Sequence, residues 1–193
     1  MNWHLVLVVG VSVLQVIAVI SYVRGMVSGT TRPNIVSWFL WECALLIALA
    51  AQLSAGASWS AVILVTALIV DGAVLCVAFF GYGYKKFGIT DGVCLFLSLA
   101  AILLWALTDN PLVALVFAIF ADATAYVPTM VKAFRDPFSE TASTWLLSAV
   151  AGFLSILLAT TADFANLAFP VYYVFINLVV WYGAFFGQRR IKI

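Results

Sequence analysis

The sequence predicts an all-α membrane protein of seven transmembrane helices, and three observations predict it. The 193 residues are 66% apolar and only 9% charged, with a mean hydropathy of +1.17, which excludes a water-soluble fold. Apolar runs of spanning length recur seven times between turn-forming breaks. Every basic residue falls in alternate breaks or in the C-terminal tail.

A span needs about 20 residues to cross a hydrocarbon core of ~30 Å. The runs extend from Trp3 to Tyr22, Ile35 to Leu53, Trp59 to Phe80, Asp91 to Leu107, Leu112 to Val131, Thr144 to Thr161 and Leu167 to Phe186. The breaks carry residues that stop or turn a helix: Gly29 to Asn34 with Pro33, Ser54 to Gly56, Gly81 to Gly83, Asp109-Asn110-Pro111, Arg135-Asp136-Pro137 and Asp163. The first run lacks a basic leader and is followed by Arg24 and Arg32, so it is expected to stay in the mature chain rather than act as a signal peptide. Arg24, Arg32, Lys85, Lys86, Lys132, Arg135, Arg189, Arg190 and Lys192 all fall on one side of a seven-span layout. The positive-inside rule makes that side cytoplasmic, with the N-terminus outside, and a plasma (inner) membrane is the expected location.

The chain also repeats. A shift of 104 residues lays Ser21-Tyr22-Val23 over Ala125-Tyr126-Val127 and Pro33 over Pro137. A shift of 106 lays Val74, Ala78, Phe79, Phe80 and Gly81 over Val180, Ala184, Phe185, Phe186 and Gly187, and Trp38 pairs with Trp145 between these blocks. Span one maps onto five, two onto six and three onto seven, a step that preserves direction, so the halves are parallel. Residues 1–82 are expected to form one three-helix bundle, 83–109 a linker helix and 110–193 a second bundle with a basic tail, a 3+1+3 plan. Parallel repeats that meet around a midplane site are a recurring transporter architecture.

Four polar residues are expected in one layer. With about 1.5 Å of rise per residue, Asp71 lies about 15 Å from the Gly81 boundary, Asn177 lies at the same depth, and Asp122 and Gln15 fall at a similar level. An Asp at a helix centre costs roughly 2.5–3.5 kcal/mol on insertion scales, so these residues are expected to line a polar interior. No basic residue is expected near them, which suits a proton or a cationic solute group there. Glu42 is placed nearer the cytoplasmic side, as a gate or bonded to a loop Arg. Pro128 is expected to kink span five as a hinge. Asp91 reads as a helix N-cap, Trp38, Trp41 and Trp145 as an interfacial aromatic belt, and Gln52 as interfacial. Cys43, Cys76 and Cys94 lie in apolar runs and read as small core residues. His4 has no Cys or carboxylate near it in sequence, so no metal or other cofactor is expected.

The 3+1+3 plan, the Pro between the first and second helix of each half and the polar residue in each third helix resemble the PQ-loop superfamily, and within it the SWEET sugar facilitators. The residues that carry the resemblance are Pro33-Asn34 and Pro137-Phe138 at the loop positions and Asp71 and Asn177 in the third helices. The resemblance implies alternating access, with the two bundles rocking about kinks such as Pro128 around a small polar solute such as a sugar at Asp71 and Asn177; Pro33, Pro137, Pro128, Glu42, Trp38 and Trp145 are the candidate gate or hinge residues. The Gln of the PQ motif is absent at both loops. The acid at position 71 is also similar to the proton-coupled amino-acid exporters of the superfamily, such as the cystinosin branch, so an amino acid or amine is the alternative solute. The same fold serves the KDEL sorting receptors, a non-transporting alternative that would want basic residues in its cavity. No nucleophile and base pair or phosphate loop is present, so no enzyme activity is expected, and no nucleic-acid partner. One chain holds both halves, so an oligomer is allowed but not required.

Overall fold

The computed structural model of the chain describes residues 3–191. Those residues form seven α-helices: α1 Trp3–Val27, α2 Ile35–Ser54, α3 Val62–Val77, α4 Ile89–Thr108, α5 Pro111–Arg135, α6 Ala142–Leu157 and α7 Phe164–Ile191. A 3₁₀ turn at Trp59–Ala61 leads into α3, and a π turn at Ala78–Tyr82 closes it at Gly81, whose φ of 105° is open to glycine alone without strain. The chain is an integral membrane protein: six helices are long and apolar enough to cross a bilayer, counting α3 with its flanking turns. The remaining one, α6, is apolar but shorter than the expected Thr144 to Thr161 span. Its 16 residues rise about 24 Å, because the chain leaves the helix after Leu157 to reach the polar turn described below.

Local chemistry sets the ends. Asn34 caps α2 by accepting from Val36 N, and Asn110 caps α5 by accepting from Leu112 N. Pro111 fills the first helical position, where its missing N–H costs nothing. Asp91 is not the N-cap of α4. It lies three residues further in and accepts from Gly88 N at 2.7 Å, because the chain turns helical at Ile89, and it is buried where Ser37 Oγ donates to it at 2.6 Å. Arg24, Lys132 and Arg135 sit in last helical turns rather than loops, where the carbonyl end of a helix favours cations. Lys192 lies outside the described residues.

The helices pack in a repeated order. In the first triplet α3 lies between α1 and α2; in the second, α7 lies between α5 and α6. Across the seam α1 packs on α6 and α2 on α5, while α4 leans on α5 and α2. Small residues allow this closeness, with Ala44, Ala48 and Ala51 of α2 and Ala114, Ala118 and Ala121 of α5 all buried. The outward faces are apolar, Phe96, Leu99 and Leu103 of α4 among them, as lipid contact requires. Cys76 also faces outward and Cys43 is half-buried, so only Cys94 is the core residue expected of all three.

Candidate functional site

The polar layer spans the seam between the triplets. Gln15 of α1 is buried; its Nε2 donates to the Tyr173 hydroxyl of α7 at 3.1 Å, and its Oε1 accepts from Ser148 of α6 at 3.1 Å. Asn177, one turn along α7, donates to the Tyr173 carbonyl at 2.8 Å, and its Oδ1 is buried without a partner. Asp122 of α5 accepts from the Tyr172 hydroxyl at 2.6 Å through Oδ2, and its Oδ1 is likewise buried and unpartnered. An orphaned buried acceptor loses its hydration without return, at a cost of about 1–3 kcal/mol.

Asp71 occupies a different part of the layer. It is half-buried and lines a small cavity with Gln15, Tyr22, Trp38, Thr144 and Ser148. The cavity holds about 20 Å³, room for one water-sized group. Asp71 and Asn177 therefore do not line one pocket as a pair; they are linked through Gln15 and Tyr173. The reason lies in the packing order: α3 and α7 are each central in their own triplet, so α1 and α6 meet between them.

Among the described residues Glu42 forms no bond to a loop Arg. Its Oε1 is unpartnered and faces α3, where a Cβ on Gly72 would lie 3.7 Å away. Lys132 and Glu140 form the one ion pair among the described residues, at 2.6 Å. Trp145 Nε1 also donates to Glu140, at 3.2 Å. Gln52 is not interfacial: it is fully buried, and neither end of its amide has a partner.

The tryptophans are not an aromatic belt. Trp38, Trp41 and Trp145 are 4–6% exposed and pack with Tyr22 and Tyr126 into one cluster. Tyr22 lies 5.3 Å from Trp38, Tyr126 meets Trp41 edge-on at 4.0 Å, and Trp41 and Trp145 are nearly parallel at 6.4 Å. Across the seam the cluster closes through Trp145, which lies 6.1 Å from Tyr22 and 5.9 Å from Tyr126.

Each end of the seam is tied. At the basic end Thr31 and Thr141 share a hydrogen bond of 3.2 Å, and Lys132 Nζ donates to the Arg32 carbonyl at 3.4 Å. Pro33 and Pro137 sit in these loops: the Pro33 carbonyl accepts from Tyr84 N, and the Pro137 carbonyl accepts from Gln188 at 2.8 Å. At the opposite end Asn166 Oδ1 accepts from Ser58 N, Ser58 Oγ and Ser60 Oγ, and Ser155 donates to the Ser60 carbonyl at 2.7 Å. Asp163 holds Asn166 in place by accepting from its backbone and side-chain nitrogens. Those bonds and the Thr161 hydroxyl, the largest influence, hold the Asp163 carboxyl below its ordinary value. Pro128 lies within α5 and Pro170 within α7, each helix running on through its proline.

The sequence reasoning missed Tyr172, Tyr173, Ser148 and Asn166. A signal existed for Asn166, which follows Asp163 by three residues at a helix start; the tyrosines gave none, since apolar spans carry many.

Compared with protein-family models, curated proteins and solved structures, the chain matches none of them.

Proposed function

We propose that this chain is a transporter that moves a small polar solute by alternating access through the layer between two like-oriented triplets, α1–α3 and α5–α7, joined by α4. In this reading α6 also crosses the membrane, which makes seven spans, and the basic end faces the cytoplasm, with the N-terminus outside. The observation that carries it is the pair of buried, unpartnered oxygens on Asp122 and Asn177, at the depth where the triplets meet. Polar groups inside spans are costly and mark solute paths, and buried orphan acceptors call for a visiting donor. The repeated packing order supports the 3+1+3 plan and the resemblance to the PQ-loop and SWEET proteins.

The same reading accounts for the ties at both ends. The Thr31–Thr141 bond with the aromatic cluster beneath it closes one mouth, and the Asn166 clamp closes the other, so this conformation is the closed state of the cycle. Opening parts α1 from α6 at one end while the other stays shut, with Pro33, Pro128 and Pro137 available as hinges.

The test is uptake of radiolabelled sugars, amino acids and amines by proteoliposomes of the purified chain. Saturable uptake of at least one solute, lost in the Asp122→Asn, Asn177→Ala double variant, is expected. No uptake above protein-free vesicles for any member would overturn the proposal.

A further inference from the structure

The cavity beside Asp71 narrows the class of solute, an inference that rests on the transporter reading. Two hydroxyls of its wall have their hydrogens committed elsewhere. Ser148 Oγ donates to Gln15 at 3.1 Å, and Thr144 Oγ1 donates to the Ala18 carbonyl at 3.1 Å. Each hydroxyl therefore turns lone pairs to other neighbours. Asp71, which when ionised is an acceptor and never a donor, has no hydrogen bond among the described residues and is half-buried at the same wall. The remaining wall includes the aromatic side chains of Trp38 and Tyr22.

Two hydroxyl acceptors beside one carboxylate fit a group that is a donor and positively charged. Aromatic rings beside it favour an organic cation over a hydrated metal ion. The volume of about 20 Å³ limits the head to the size of one water, which admits –NH3⁺ and excludes a quaternary nitrogen with its methyl groups. The one ion pair of the described residues holds Lys132 on Glu140 at the basic end, and no cation lines the cavity to hold a carboxylate. An amine without an acid group is thereby favoured over an amino acid. We propose that the solute is a small primary alkylammonium whose –NH3⁺ head docks on Asp71, Thr144 and Ser148, its alkyl tail taking its place beside Trp38 and Tyr22 as the seam opens.

Radiolabelled methylammonium uptake by proteoliposomes tests this, measured above protein-free vesicles at about pH 6, where an amine of pKa near 10.4 is almost wholly charged. Labelled glucose and sodium are run in parallel. Saturable methylammonium uptake is expected, competed by ethylammonium and not by tetramethylammonium. Loss of one charge-assisted bond in Asp71→Asn should lower it about tenfold or more, and Asp71→Glu should restore part of it. A thermal melt of each variant separates a lost site from a lost fold: Asp71→Asn melting like the parent chain and transporting methylammonium at the parent rate overturns the inference. Glucose or sodium uptake without methylammonium uptake overturns the ammonium assignment and leaves the transporter reading standing. No uptake of any of the three overturns the inference, and the wider solute panel then decides the transporter reading separately.

Discussion

Gln15 on the first helix and Tyr173 on the seventh, 158 positions apart, are joined by a buried hydrogen bond of 3.1 Å. The bond crosses the seam between the triplets at the level of Asp71 and Asn177. Because Gln15 also accepts from Ser148, one side chain holds α1, α6 and α7 in register. Gln15→Leu keeps the volume and removes both bonds, leaving the Tyr173 hydroxyl and Ser148 buried without that partner. Two orphaned groups at about 1–3 kcal/mol each should lower the thermal midpoint in detergent, and solute uptake should fall about tenfold or more. Gln15→Glu, which keeps the acceptor for Ser148 and can accept from the Tyr173 hydroxyl where Gln15 donates to it, should retain more of each. Equal stability in Gln15→Leu and the parent chain would show that the bond does not hold the seam.

The Asn166 clamp should act at the opposite mouth. One amide oxygen serves Ser58 and Ser60, and the amide nitrogen is held by Thr161 at 2.9 Å and by Asp163. Asn166→Ala should cost about 1–3 kcal/mol and loosen this end alone. Hydrogen exchange checks it: faster exchange at Ser58 is expected, with exchange at Thr144 near the basic end unchanged.

Glu140 predicts a pH dependence of stability. It lies outside the spans, and burial pushes its carboxyl above the ordinary 4.5 although Lys132 and Trp145 pull it down. The unfolded chain then ionises first as pH rises, so the folded chain binds more protons in that window. The stability linked to this group is full below about 4.5 and declines as pH rises through the folded value. Thermal midpoints across that window should fall less steeply in Glu140→Gln. Lys132→Met should lower the stability at neutral pH by about 3 kcal/mol where the carboxylate stays charged and alone, seen as a lower midpoint. Identical slopes in Glu140→Gln and the parent chain would exclude Glu140 as their source.

Gly25 sets how closely the loops approach at the basic end. A Cβ there would sit 2.6 Å from Thr31 Oγ1 and 2.9 Å from Thr141 Oγ1, so Gly25→Ala forces the two threonines aside. The expected cost is about 1–3 kcal/mol, as for overpacking elsewhere. A melt that matches the parent chain would show that the loops have slack.

Much of this arrangement was legible in the residues, and what escaped has a common cause. Asn34, Asn110, Pro111 and Gly81 mark helix ends by local chemistry, which a sequence displays directly. The pairing of Tyr22 with Tyr126 and Trp38 with Trp145 marked the repeat, though not that all four join one cluster with Trp41. A tryptophan one turn inside a span looks alike whether it faces lipid or a neighbouring helix, so the aromatic cluster passed for an interfacial belt. Gln52 failed for the same reason, since depth along a helix says nothing about which face is covered. Tyr173 and Ser148 lie far from Gln15 in the chain, and no local pattern encodes a contact between helices so distant in sequence.

The Thr31–Thr141 contact offers the most direct measurement. Cysteines at these two positions, in a chain whose own Cys43, Cys76 and Cys94 are replaced, place two thiols where hydroxyls now lie 3.2 Å apart, so oxidation should lock the basic end shut. Uptake by proteoliposomes should fall to the protein-free level on oxidation and return on reduction. A disulfide-locked protein that transports at its reduced rate would contradict the account.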